Sequence, residues 1–222
     1  MEKLAGIVLM AGLSTRFEGP TNKQLCLLKR KPVFSYSLDT FAKRGFDELV
    51  VVVNSANKVE VEKYIKEQGY KAKVVLGGET RQQSVKNALK SLSSESEDIV
   101  VIQDAARPLV DVFIINQVIK AAKECGASTA YIEASDSIAV KNENDEIVNF
   151  VNRSTIAQIQ TPQAFKFGLL KKGHEFAKDA KATDDCSLIL ALGNKVKLVK
   201  GDKKYHKVTT VEDLKYIEGL LK

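Results

Sequence analysis

Continuous apolar runs separated by amphipathic stretches constrain this chain more than any other feature. Runs at residues 6–9, 49–53, 74–76, 99–103, 128–133 and 196–199 have the length of strands. Several are apolar throughout instead of alternating, as in parallel sheets buried on both faces. Between them, Val85, Ala88, Leu89 and Leu92 recur at helical spacing. Thr80 and Gln83, just ahead, have the spacing of a capping box. Val112–Cys125 and residues 211–221 predict two further helices. The alternation predicts an α/β fold with a mostly parallel central sheet flanked by helices. In such sheets the site lies at the carboxyl ends of the strands.

Residues 134–160 break this rhythm. Ile138, Val140, Ile147, Phe150 and Val151 surround a polar segment, and Asn144-Asp145 suits a hairpin turn. The segment reads either as a surface hairpin or as an arm that packs on a second subunit. The chain of 222 residues is long enough for a sizeable core and is expected to form one domain. Its net charge of +6 points to anionic partners. The basic residues are scattered without aromatic interleaving, and Trp is absent, which argues against nucleic acid. Cys26, Cys125 and Cys186 form no C-x-x-C pair and read as reduced thiols. His174 and His206 are too few for a metal cluster. The apolar run at 4–11 is too short for a membrane span or a signal peptide. No membrane association and a cytoplasmic location are therefore expected.

Chemistry concentrates where the predicted strands end. Ala11-Gly12-Leu13-Ser14-Thr15-Arg16 follows the first apolar run, and Asn22-Lys23-Gln24 comes soon after. A small, glycine-containing loop offers backbone N–H groups to an anion. Arg16 adds a planar fork and Lys23 a point charge. Neither the P-loop nor the dinucleotide fingerprint fits: Phe17 stands where the P-loop needs its second glycine, and only Gly12 is in register with the three-glycine pattern. The loop resembles the signature loop of nucleotidyltransferases that activate sugars and sugar alcohols, with Ser14 in place of a second glycine.

Three further loops follow the same logic. Gly77-Gly78-Glu79-Thr80-Arg81, then Ser84, opens a helix whose N-terminal donors can face a nucleotide. Asp104-Ala105-Ala106-Arg107-Pro108 places a carboxylate at a strand end, able to hold a metal ion or a ligand hydroxyl, and a fork for phosphate. Lys207-Val208-Thr209-Thr210 presents a lysine ahead of a helix cap. Taken singly, each loop also has a plain reading: a turn and cap for the first, a salt bridge for the second, a solvated lysine and a cap for the third.

Together these pieces resemble the 2-C-methyl-D-erythritol 4-phosphate cytidylyltransferase family. AGLSTRF with NKQ, GGETRQQSV, DAARP, the SDS at Ser135–Ser137, NRS at Asn152–Ser154, QTPQAF at Gln160–Phe165, TDD at Thr183–Asp185 and KVTTVEDL at Lys207–Leu214 run in the family's order. The two alanines of DAARP favour this family over the related enzyme acting on ribitol 5-phosphate, which usually carries a DSVRP-like loop; that enzyme and a non-catalytic nucleotide-binding module are the alternatives. Departures are Ser14 for glycine, Asn22 for proline and Ser137 for threonine.

The resemblance implies a Rossmann-like fold in one nucleotidyltransferase domain over residues 1–222, with 134–160 as a protruding β-arm for dimerisation. It implies transfer of the cytidylyl group of CTP to the alcohol phosphate, a divalent cation such as Mg²⁺, and a homodimer. Arg16, Lys23 and Lys207 are then the catalytic cations. Met10, Ala11, Gly12, Leu13, Ser14, Gly78, Glu79 and Ser84 line the cytidine site. Asp104 and Ala105 lie at the ribose, with Asp104 the candidate metal ligand. Arg107 and Thr161, with Ser137 and Arg153 from the partner arm, hold the alcohol phosphate.

Overall fold

A computed structural model describes residues 2–12, 17, 22–177, 182 and 184–221. In chain order, strand β1 (Leu4–Leu9) is followed by a short hairpin, β2 (Leu27–Leu28) and β3 (Lys31–Pro32), and by helix α1 (Val33–Arg44). Then come β4 (Glu48–Val53), α2 (Lys58–Glu67), β5 (Lys73–Leu76), α3 (Arg81–Ser91), β6 (Ile99–Asp104), α4 (Val112–Cys125) and β7 (Ala127–Glu133). The remaining elements are β8 (Ile138–Lys141), β9 (Ile147–Val151), β10 (Ala157–Lys166), α5 (Phe167–Phe176), α6 (Asp185–Ala191), β11 (Lys197–Lys200) and α7 (Val211–Leu220).

Seven strands form one sheet in the order β11-β7-β10-β6-β1-β4-β5. Six are parallel to one another, along the pairs β6·β1, β1·β4, β4·β5 and β11·β7 and across β10, which is antiparallel to both β6 and β7. All six expected strands are present, within two residues at each end. The sheet follows from the uninterrupted apolar runs. Along β1, Val8 packs into one core layer with Phe34, Leu38 and Phe41 of α1 and Ile114, Ile115 and Val118 of α4. Its neighbours Ile7 and Leu9 pack into the other layer with Val85 and Leu89 of α3 and Leu170 of α5. Helices cover both faces, so both side-chain parities must be apolar. Each fully buried Phe or Ile in these layers contributes about 1.5–3 kcal/mol by transfer from water.

Strand β10 is the main departure from expectation. It runs antiparallel between β6 and β7 and takes up residues 157–160, which the sequence reading assigned to the arm. Its composition conceals it. Gln160 and Gln163 are buried, Pro162 interrupts the pattern, and the register shifts between Ile159 and Gln163. A proline inside a run normally argues against a central strand. The buried glutamines are stabilised by hydrogen bonds: Gln160 Nε2 donates to Asp202 O at 3.0 Å and Gln163 Nε2 to Asp184 Oδ2 at 2.7 Å.

The remaining arm is the β8–β9 hairpin. Its turn uses Asn142, whose side-chain oxygen accepts from the N–H groups of Asn144 and Glu146, and Asp145 at positive φ. Ile147, Val148 and Phe150 are each more than half exposed, so within this chain the arm's apolar surface is uncovered. The Thr80–Gln83 capping box is present: Thr80 Oγ1 accepts from Gln83 N, and Gln83 Oε1 accepts from Thr80 N.

Candidate active site

Register brings the chemistry to one edge. Leu9 pairs with Val52 on one side and with Asp104 on the other, and Val53 pairs with Leu76. The loops leaving β1, β4, β5 and β6 therefore emerge side by side. They enclose a cavity of about 640 Å³, within the range of small-molecule sites. Ala11 and Gly12 come from β1, Asn54 and Ser55 from β4, Gly77 to Arg81 from β5, and Asp104 and Ala106 from β6. Ser84 of α3, Lys23 and Lys207 complete it.

A side chain at Gly77 could not be tolerated, because its Cβ would lie 2.5 Å from Ala11 Cβ and 2.7 Å from Ser84 Oγ. The β5 loop thus packs directly on the β1 loop. Ser84 Oγ accepts from Gly78 N at 3.2 Å and donates to Thr80 O at 2.9 Å, which fixes the loop against the start of α3.

The two lysines are carried by a third apolar cluster. Phe17, Cys26, Leu28 and Val33 pack with Val208 and Ile217, tying the segments that bear Lys23 and Lys207 together. The cap of α7 adds to this. Asp213 Oδ2 accepts from Thr209 N and Thr210 N at 2.7 and 2.9 Å, and Thr210 Oγ1 accepts from Asp213 N. Burial would raise the Asp213 carboxyl, but these bonds and His206 hold it well below its ordinary range.

Asp104 is the electrostatic centre. Lys207 Nζ donates to Asp104 Oδ2 at 2.7 Å, and Arg81 Nε lies 3.8 Å from Oδ1. Burial pushes the Asp104 carboxyl up, yet Lys207, Arg81 and Arg107 outweigh it and keep the group ionised. Arg81 in turn donates from Nη1 to Asp185 Oδ2 at 2.5 Å, and Asp185 Oδ1 is 2.9 Å from His174 Nε2. Asp185 and His174 are almost wholly buried. Burial raises the Asp185 carboxyl, and Arg81 with His174 reverses the shift to a net lowering.

The expected site residues divide. Ala11, Gly12, Lys23, Gly78, Glu79, Ser84, Asp104 and Lys207 line the cavity. Leu13, Ser14 and Arg16 lie outside the described residues. Met10 and Ala105 do not line the cavity: both side chains are in the core, and both N–H groups donate to neighbouring strands, on Val52 O and Leu9 O. Ala106 lines the cavity in place of Ala105. Arg107 does not line the cavity either, and its donors are directed at carbonyls. Its Nη1 donates to Tyr205 O at 2.7 Å and its Nη2 to Ile159 O at 3.5 Å, so the fork holds backbone carbonyls. Burial lowers its pKa, against the pull of Asp104. Thr161 Oγ1 accepts from Asp104 N at 3.1 Å and so fixes the end of β6. Ser137 and Arg153 lie at the base of the arm and do not line the cavity, and Arg153 Nη1 donates to Ser135 O at 2.9 Å.

Sequence reasoning gave Arg81, Asp185 and His174 no role. One signal was available. Arg81 is the first residue of α3, where the helix dipole disfavours a cation, so a carboxylate partner was to be sought. Among the described residues no group of three or more His, Cys, Asp or Glu is placed to hold a metal ion. Asp104 is the one buried carboxylate on the cavity wall among them. A cation such as Mg²⁺ takes one or two carboxylates and completes its shell with phosphate oxygens and water, and Asp104, here paired with Lys207, is the residue that could supply one.

Residues 4–222 match the family model described as IspD, 2-C-methyl-D-erythritol 4-phosphate cytidylyltransferase. The chain is 37% identical over 230 residues to a protein of that name from Clostridium perfringens, covering both completely. It is 40% identical over 220 residues to another from Thermosipho africanus, covering 95% of each. Among solved structures it resembles 4-diphosphocytidyl-2C-methyl-D-erythritol synthase from Anaerococcus prevotii, with a TM-score of 0.86, 25% identity and 99% and 96% coverage. It also resembles the bifunctional IspDF of Campylobacter jejuni, with a TM-score of 0.80 and 31% identity, spanning 96% of this chain and 54% of that one. The match over nearly the whole chain agrees with the Asp104–Lys207 edge and the glycine-paired loop: the chain belongs to the 2-C-methyl-D-erythritol 4-phosphate cytidylyltransferase family.

Proposed function

We propose that this protein transfers the cytidylyl group of CTP to 2-C-methyl-D-erythritol 4-phosphate, giving 4-diphosphocytidyl-2-C-methyl-D-erythritol and pyrophosphate in the non-mevalonate route to isoprenoid precursors. The observation that carries the reading is the cavity at the carboxyl edge of β1, β4, β5 and β6, with Lys23 and Lys207 on its wall, in a member of this family.

The nucleophile is a phosphate monoester whose second pKa is about 6, so it is largely a dianion at neutral pH and needs no general base. One of its oxygens forms a bond to the α-phosphorus of CTP. The bond from that phosphorus to the bridging oxygen breaks, and its electron pair leaves with pyrophosphate. Negative charge accumulates on the α-phosphate and the leaving group, so positioned cations are the means of catalysis. Lys23, Lys207 and Arg16 supply them. The Gly77–Ser84 loop receives the base, and Asp104 faces the ribose. A divalent cation, bound by the nucleotide phosphates with Asp104 as its protein ligand, would neutralise triphosphate charge.

The arm carries the rest of the reading. Its exposed Ile147, Val148 and Phe150 suit a symmetric interface with a second copy. Ser137 and Arg153 of one copy, with Arg107 and Thr161 beside the site, complete the alcohol-phosphate subsite in a homodimer. No described helix is long and apolar enough to cross a membrane, and the three cysteines are free, as suits a reducing cytoplasm.

The test is pyrophosphate release from CTP with 2-C-methyl-D-erythritol 4-phosphate and, separately, with ribitol 5-phosphate. Turnover is expected with the first at a kcat/KM at least a hundredfold higher. Equal or preferred use of ribitol 5-phosphate overturns the substrate assignment. No release with either overturns the enzyme.

A further inference from the structure

Asp104 has two cationic neighbours, and they are not equivalent. Lys207 Nζ is at 2.7 Å, in full hydrogen-bond contact. Arg81 Nε is at 3.8 Å, too far for one. An arginine beside a buried carboxylate normally closes into the shorter, forked pair, because its donors match the two oxygens. Here the guanidinium is drawn the other way. Arg81 Nη1 donates to Asp185 Oδ2 at 2.5 Å, and Asp185 is itself anchored through Oδ1 to His174 Nε2 at 2.9 Å. His174 and Asp185 come from α5 and α6, behind the cavity, and neither lines it.

We infer that Asp185, held by His174, restrains Arg81 from closing on Asp104 and thereby reserves the close position for Lys207; Asp185 is a positioning residue for the lysine. The consequence for catalysis rests on Lys207 acting on the phosphates. Lys207 must exchange Asp104 for the triphosphate as the ligand arrives. Arg81, kept a little over an ångström further off, continues to compensate the Asp104 carboxylate while the lysine leaves it. Without Asp185, Asp104 becomes the nearest carboxylate for Arg81, with Asp184 acting on it only from further away. The guanidinium, now beside Oδ1, then closes as a fork on both Asp104 oxygens, including the Oδ2 that accepts from Lys207, and the lysine is displaced before substrate binds.

The test reads Lys207 directly. In the free protein, the rate at which an amine-acylating reagent modifies Lys207 is followed by peptide mass spectrometry. In Asp185→Asn, the lysine released from its ion pair is expected to react about tenfold faster, while lysines outside the cavity keep their rates. His174→Ala, which loosens Asp185 without removing it, is expected to give a smaller rise, and His174→Gln, which restores a donor, to return most of it. A Lys207 rate within twofold of the parent in folded Asp185→Asn overturns the inference. Should that variant not fold, an unchanged rate in His174→Ala overturns it equally. Pyrophosphate release separates this from the catalytic reading. Asp185→Asn is expected to lower kcat more than it raises KM for CTP. Normal turnover in Lys207→Ala would refute the lysine's role on the phosphates while leaving the acylation result to stand.

Discussion

Lys207→Ala is expected to separate catalysis from stability. A unit charge about 4 Å from a phosphate oxygen, at the effective dielectric near a protein surface, contributes about 4 kcal/mol. The Lys207 side chain is 38% exposed, so solvent screens part of this, leaving about 3 kcal/mol. At about 1.4 kcal/mol per decade that is roughly a hundredfold in kcat. The fold loses little. Removing the lysine leaves Asp104 with Arg81 at 3.8 Å and with the charge of Arg107, so the buried carboxylate keeps compensation. A partly exposed ion pair is worth up to about 1 kcal/mol, or about 2–4 °C in Tm for a chain of this size. Because charge builds up only as the α-phosphate is attacked, kcat should fall more than KM for CTP rises. The assay is initial-rate pyrophosphate release across CTP concentrations, with a thermal melt of the same preparation. A kcat within threefold of the parent would refute the placement of Lys207 at the reacting phosphates. A Tm loss above about 10 °C would refute the ledger that treats it as dispensable to the fold.

CTP should exceed UTP in kcat/KM by at least a hundredfold, because a site built for the cytosine amino group leaves polar atoms unpaired with uracil; equal values would sink the assignment of the Gly77–Ser84 loop to the base. Subunit mixing tests the arm: Lys207→Ala and Arg153→Ala parents should each be nearly inactive, and exchange should restore activity, since one site of the heterodimer then carries neither defect. Confirmed heterodimers without recovery would place Arg153 in its own chain's site or in none. Asp213→Asn should lower stability by about 1–2 kcal/mol at pH 7, the range of a lost cap. Since the folded carboxyl is depressed, its contribution is complete above the ordinary value of 3.8 and fades as pH falls below that. The denaturation midpoints of parent and variant should therefore begin to converge as pH falls below about 4 and go on converging towards the depressed folded value, and a gap that stays constant from pH 7 into strong acid would refute the electrostatic account.

The parts of this molecule that were legible in sequence are those decided locally. Strands β1 and β6 declare themselves because helices cover both faces, so every side chain of Ile7-Val8-Leu9 and Val100-Val101-Ile102 must be apolar. The α3 cap is legible because Thr80 and Gln83 satisfy each other within one turn. Strand β10 was not, because the cost of burying Gln160 and Gln163 is offset, and then only in part, by the amide protons that Asp202 and Asp184 accept.

The site shows the same division more sharply. Placing Lys23, Lys207 and Asp104 at one edge needed only the rule that strand ends converge. Deciding what each arginine does needed the partners. Arg107 reads as a phosphate fork in sequence, and what takes up its donors are carbonyls at Tyr205 and Ile159, which are 98 and 52 residues away. Arg81 looks like an unremarkable first-turn arginine until Asp185, 104 residues on, is seen to hold it. A cation's role in a phosphate site depends on which carboxylates and carbonyls already occupy its donors. A lysine with one carboxylate partner on the cavity wall can change partners when an anion arrives. An arginine tied to a buried aspartate that is itself tied to a buried histidine cannot, and its charge serves the carboxylate that the lysine leaves behind.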